Sequence, residues 1–164
     1  MTNFDEVINR LLRRIEKDAD FFAPYHNVSA SEMESLIREQ VIGYLYDAID
    51  KIYELGNPEI DFYDYDVELQ QFNVDLTKRE IGMLSNLMFL VFLERDEALL
   101  NAFKIRMSPS DLSTFSPAAE RTSFENLIKS TRHECSIALS HYFSTDRISG
   151  EHKTIQHDLY DYES

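Results

Sequence analysis

The chain has 164 residues, with 30 Asp and Glu against 16 Lys and Arg, a net charge of −14, 43% hydrophobic residues and one cysteine. One cysteine excludes an internal disulfide, and the acidic excess excludes wrapping around phosphates, which needs a basic stripe. The length and apolar content suffice for one domain with its own core; with no apolar run of membrane-spanning length and a charged, amphipathic first stretch in place of a signal peptide, a soluble intracellular protein is expected.

Asn3 followed by Glu6 forms a capping-box pattern. Phe4, Val7, Ile8, Leu11, Leu12 and Ile15 then recur at helical spacing, with Arg10, Arg13 and Arg14 on the other face. This predicts an amphipathic helix over residues 4–20, broken by Pro24. The plain reading of the three arginines is a solvated face; the sharper one is contact with an acidic patch on a partner subunit. Ser31 and Glu34 repeat the capping box. Apolar residues from Met33 to Tyr53 at steps of three and four predict a helix of about 24 residues, stopped by Gly56 and Pro58. Gly43 inside it costs about 1 kcal/mol relative to alanine, which the close approach of another helix would offset.

Between Leu55 and Asp75 the acids Glu59, Asp61, Asp64, Asp66, Glu68 and Asp75 occur without any Lys or Arg. Ile60 and Phe62 alternate with acids, the phase slips at Tyr63, and Tyr65, Val67 and Leu69 resume it. Alternation predicts extended chain and the slip a kink or bulge. The expected element is an acidic extended connector over residues 56–76 with a short strand or hairpin, a length that is uncommon unless used. Its candidate partner contacts are Asp61, Asp64, Tyr65, Asp66 and Glu68. Asp64, Asp66 and Glu68 also have the ligand spacing of a calcium loop. Leu69, however, stands where that loop needs glycine, and Asp75 where it normally has a bidentate Glu, so a solvated or partner-facing acidic edge is the better reading.

Thr77 and Glu80 give a third capping box. Ile81, Leu84, Leu87, Met88, Val91 and Phe92, widened by Leu90 and Leu93, make a helix apolar nearly all round, hence buried on several sides at the centre of a bundle. The polarity switches at Glu94–Arg95–Asp96, and Ala98, Leu99, Ala102, Phe103 and Ile105 predict another short helix. "MSPSDLSTFSPAAER" reads as a connector, with Ser116 as N-cap and Pro117 at the first helical position. Phe124, Leu127, Ile128, Cys135, Ala138, Leu139 and Tyr142 trace a last long helix to about Thr145. The remainder is an acidic, tyrosine-bearing arm with little periodicity, expected to be held by a partner chain; Asp158, Tyr160, Asp161 and Tyr162 are its candidate contacts. The expected architecture is all-α: a bundle of four to five helices over residues 1–145, with the acidic connector, and a C-terminal arm over 146–164.

Chemistry is sparse. Gly43, Gly56, Gly82 and Gly150 are too scattered for a phosphate-cradling loop. His133–Glu134 opens like a zinc-protease helix, but the second His one turn on is missing, and His141 lies two turns away. Cys135 falls on an apolar face, where a free cysteine acts as a small hydrophobe. No Glu-x-x-His pair suggests a di-iron bundle. The reading is a protein without catalytic, cofactor or metal residues, and without a membrane or small-molecule partner.

"FNVDLTKREIGMLSNLMFLVFLERD" followed by "FSPAAERTSFENLIKSTRHE" resembles the head-to-tail connector proteins of tailed bacteriophages, the head-completion, adaptor or neck proteins between portal and tail. The shared features are an aromatic and acidic run, the Leu-Thr-x-x-Glu helix start, a Leu/Met-rich helix and a later polar helix, over roughly Phe72 to Glu134. The resemblance implies a helical bundle that assembles as a homo-oligomeric ring of about twelve subunits. It implies the portal and tail or neck proteins as partners, and a place in the virion neck after assembly in the host cytoplasm. Double-stranded DNA would pass through without specific binding, sliding along an acidic wall. Asp61–Glu68 and Asp158–Glu163 are then the channel or inter-ring contacts. The alternative is an acidic protein that mimics DNA and inhibits a basic nucleic-acid enzyme or regulator. The first reading predicts heterologous self-association; the second predicts a compact monomer or dimer with carboxylates spaced like phosphates.

Overall fold

A computed structural model describes residues 1–15, 30–106 and 118–153. They form four helices, α1 (Phe4–Ile15), α2 (Ala30–Leu55), α3 (Lys78–Arg106) and α4 (Ala118–Ser144), and three two-residue strands, β1 (Thr2–Asn3), β2 (Tyr65–Asp66) and β3 (Gln71–Phe72). The chain is mostly helical, as expected. The hairpin anticipated between the second and third helices is present, and it gains a third strand that its sequence does not announce. The antiparallel order is β1-β3-β2, with Phe72 facing Thr2 on one side and Tyr65 on the other.

Asn3 starts α1 by accepting the Asp5 N–H at 2.9 Å, relieving one of the donors a helix N-terminus leaves unpaired. Phe4, Val7, Ile8, Leu11 and Ile15 then form one buried stripe. In α2 the buried residues are Val41, Tyr44, Leu45, Ala48, Ile49 and Ile52. Helix α2 begins one residue before Ser31, so the expected cap lies inside the first turn. Gly43 is not a close-approach point: a Cβ placed there meets nothing within 4 Å. Gly56 is one, because a Cβ there would lie 3.0 Å from the Phe143 ring, so α2 ends tightly against the end of α4.

Helix α3 is the hub. It packs against α1, α2 and α4, which is why Met83, Leu84, Leu87, Met88 and Leu90 to Leu93 are all buried. Its capping box forms as expected: the Thr77 N–H donates to Glu80 Oε2 at 2.6 Å, and the Glu80 N–H to Thr77 Oγ1 at 3.3 Å. The polarity switch does not end it. Glu94 is paired with Lys51 of α2 and Arg132 of α4, each at 2.9 Å, and the Arg95 guanidinium lies 5.0 Å from the Tyr44 ring centre. Cross-helix partners for these charges let α3 run straight on to Arg106, so the separate short helix is corrected to a continuation of α3. In α4 the buried side chains are Ile128, Thr131, Cys135, Leu139 and Tyr142, a single stripe at steps of three and four. Among the described residues, no helix is long and apolar enough to cross a membrane. The expected Pro24 break, the Ser116 cap and the arm residues Asp158, Tyr160, Asp161 and Tyr162 lie outside the described residues.

Candidate functional site

The hairpin is held by aromatic packing and by its own acids. Phe4 lies 5.0 Å from Phe72 and 5.8 Å from Tyr65, while Tyr65 stacks on Tyr46 of α2 at 5.3 Å. Tyr63 stacks on Tyr53 at 4.5 Å, and its hydroxyl donates to Asp50 at 2.8 Å. That hydrogen bond, with some desolvation, pushes the Tyr63 phenol up to about 12. Asp61 Oδ1 accepts from the Tyr53 hydroxyl and the Tyr63 N–H, which holds its carboxyl below its ordinary value. Asp64 accepts from Asn73 at 2.7 Å, and Asp66 from the Leu69 N–H at 2.9 Å across the turn. Three of the acids expected to form an outward-facing edge therefore satisfy donors of their own loop, as Asx-type turns do.

Gln70 closes this turn with φ 50°, the left-handed region that is uncommon for a side chain with a Cβ. It is fixed from two sides. Its carbonyl accepts the Phe4 N–H at 2.9 Å, and its amide oxygen accepts from Arg38, whose Nη1 also reaches Asp5 at 2.7 Å. What remains outward at the tip is Val67 and Leu69, each 62% exposed, with Glu68 exposed between them. The alternation of Tyr65, Val67 and Leu69 thus buries none of them fully: Tyr65 is half-covered, and the last two project.

The arginines of α1 divide. Arg14 turns onto its own chain, donating to Asn86 at 2.9 Å with its guanidinium 3.9 Å from the centre of the Phe89 ring. Arg10 lies over Gly82, where an added Cβ would come within 3.3 Å of its guanidinium. Arg13 is exposed. Arg10 also edges a groove of about 560 Å³ between α1 and α4 across the start of α3, lined further by Lys78, Arg79, Met83, Ile137 and His141.

One residue of the C-terminal segment proves central. Arg147 donates from Nε to Glu80 Oε1 at 2.6 Å and from Nη2 to Glu80 Oε2 at 3.1 Å, and it also reaches the Asp75 carbonyl. The Tyr142 hydroxyl donates to the same carboxylate at 3.1 Å. Glu80 is fully buried. Burial would raise its pKa, but the Arg147 and Thr77 bonds outweigh that and hold it below its ordinary value. Burial and the Glu80 charge push the Tyr142 phenol well up. Sequence reasoning misses Arg147 because it sits in an aperiodic, acidic stretch; the available signal is a lone arginine in that stretch. Cys135 is buried, with Sγ 3.5 Å from the Asn86 carbonyl, and burial pushes its thiol up to about 11. It is packed as a small hydrophobe.

Among the described residues, no group of three or more His, Cys, Asp or Glu side chains is arranged to hold a metal ion. Comparison with protein-family models, with curated proteins and with solved structures found no match.

Proposed function

We propose that the chain is a structural subunit of a phage head-to-tail connector, an adaptor in a homo-oligomeric ring that joins the portal to the tail or the next neck ring. The observation that carries this reading is the hairpin tip. Val67 and Leu69 project on either side of Glu68 from a hairpin locked to α1 and α2 by aromatic stacking and the Arg38 bonds. A rigid protrusion with exposed aliphatic side chains is what a docking element needs, since little ordering entropy remains to be lost on binding. The resemblance carried by the motifs from Phe72 to Glu134 supports this choice of assembly. The helices are read as a bundle organised about α3, and the arm expected over residues 146–164, anchored near its start by Arg147 on Glu80, as reaching a neighbouring subunit or ring. The protein acts by assembly rather than catalysis, in the virion neck, with DNA passing an acidic wall.

The DNA-mimic reading has less support. Asp61, Asp64 and Asp66 accept hydrogen bonds from their own loop, Asp61 also from Tyr53 of α2, and Glu80 and Glu94 are tied to arginine or lysine inside the fold. Fewer carboxylates remain to imitate a phosphate series. The test is recovery of the tagged protein from its native lytic culture, with bound proteins identified by mass spectrometry. Portal and tail components retained at high salt support the connector. A single basic enzyme released by salt overturns it in favour of the mimic.

A further inference from the structure

The groove between α1 and α4 is anomalous for a chain of net charge −14. Arg10, Lys78, Arg79 and His141 line it, and among the described residues Glu134 is its only carboxylate. Among the described residues no Asp or Glu forms an ion pair with Arg10, Lys78 or Arg79. Arg79 instead reaches the His141 ring Nδ1 and carbonyl and the Thr145 hydroxyl, so among the described residues the free positive charge of the rim is carried by Arg10 and Lys78. The groove also has apolar lining: Met83, Ala138 and Ile137, the last 56% exposed. Its volume of about 560 Å³ is that of a ligand-sized cleft. A cationic rim beside apolar lining selects an occupant with acids next to aliphatic side chains.

The same chain carries such an element. At the hairpin tip Val67 and Leu69 flank Glu68, with Asp66 on β2 and Asp64 just before that strand. The hairpin rests on Phe4, Tyr46 and Tyr53, and none of its residues lines the groove. Protrusion and hollow therefore occupy separate surfaces of one subunit. On the reading of the chain as a ring subunit, we infer that the hairpin tip of one copy seats in the α1–α4 groove of the next, with Val67 and Leu69 against Met83 and Ile137 and Glu68 facing Arg10 and Lys78. Such a contact is heterologous: each copy offers its tip in one direction and its groove in the other, and repetition closes a ring if the rotation allows. Charge complementarity fixes direction and register.

The experiment mixes two full-length variants, Val67→Cys and Ile137→Cys, with a short bis-maleimide at low salt. Buried Cys135 reacts slowly, so the native chain alone gives the background. The expected product is a covalent dimer joining the two variants. Adding Lys78→Glu to the Ile137→Cys chain lowers its yield by about tenfold or more, since like charges placed together oppose association. Adding Glu68→Lys to the Val67→Cys chain then restores it, which a merely misfolded variant cannot do. No mixed dimer, or a yield unmoved by the charge exchange, overturns the inference. If this fails while portal and tail proteins are still recovered from culture, the tip-in-groove contact is wrong and the connector reading stands. Charge-dependent crosslinking with no portal or tail protein recovered keeps the contact and rejects the connector.

Discussion

Glu80 and Arg147, 67 residues apart, form an ion pair at 2.6 Å in which the carboxylate is wholly buried. The pair ties the start of α3 to the turn after α4. Removing one partner of a buried pair leaves an uncompensated charge. Arg147→Met is expected to destabilise the protein by about 3 kcal/mol, while Arg147→Met with Glu80→Gln loses clearly less. Urea denaturation of the single and double variants measures both.

Glu80 and Glu94 each have a folded-state pKa below the ordinary 4.5. In both, burial acts to raise it and is outweighed by the Arg147 and Thr77 bonds or by the Lys51 and Arg132 bonds. A depressed carboxyl contributes stability above its unfolded value and loses it as pH falls through the folded one. The thermal midpoint should therefore drop below about pH 4.5. Asp96, which burial pushes up, works in the opposite sense. Arg147→Met should flatten the acid limb; an unchanged slope would remove Glu80 as its source.

At the alkaline end, the Tyr63 phenol is raised to about 12 by its hydrogen bond to Asp50. A raised tyrosine contributes stability below its unfolded value of 10.0 and loses it as pH climbs toward the folded one. In Asp50→Asn, the Tyr63 resonance in a tyrosine-ring carbon-13 NMR titration should move back toward 10.0, with Tyr142 unaffected.

Gly43→Ala should stabilise α2 by up to about 1 kcal/mol, because alanine is the better helix former and the added Cβ meets nothing within 4 Å. Gly56→Ala should destabilise, since its Cβ would press on the Phe143 ring at 3.0 Å. Thermal melts of the two variants should shift in opposite directions.

Val67→Ser with Leu69→Ser should leave stability within about 0.5 kcal/mol of the parent, since both side chains are exposed. Analytical ultracentrifugation at high protein concentration should show self-association of the parent chain and its loss in the variant.

Local signals carry much of this structure. The Thr77–Glu80 box forms as its spacing predicts, because both halves lie within one turn of chain. The helical stripes of α1 and α4 are legible because burial follows the 3.6 period. Three features are not legible, each for a non-local reason. α3 continues past Glu94, whose charge meets Lys51 and Arg132 from two other helices. Strand β1 exists because Phe72 brings a paired edge to Thr2. The groove gathers Arg10, Lys78, Arg79 and His141 from three helices, and no local pattern joins them. The acids of the hairpin are legible as a cluster but not as acceptors, since two of their donors, Tyr53 and Asn73, lie outside the alternating run and the Tyr63 and Leu69 N–H groups reach them only once the chain turns.

The most direct test of the connector claim is electron microscopy of lysates made with and without the gene for this chain. Without it, separate heads and tails are expected, joined again when purified protein is added. Intact tailed particles in its absence would rule out the connector role.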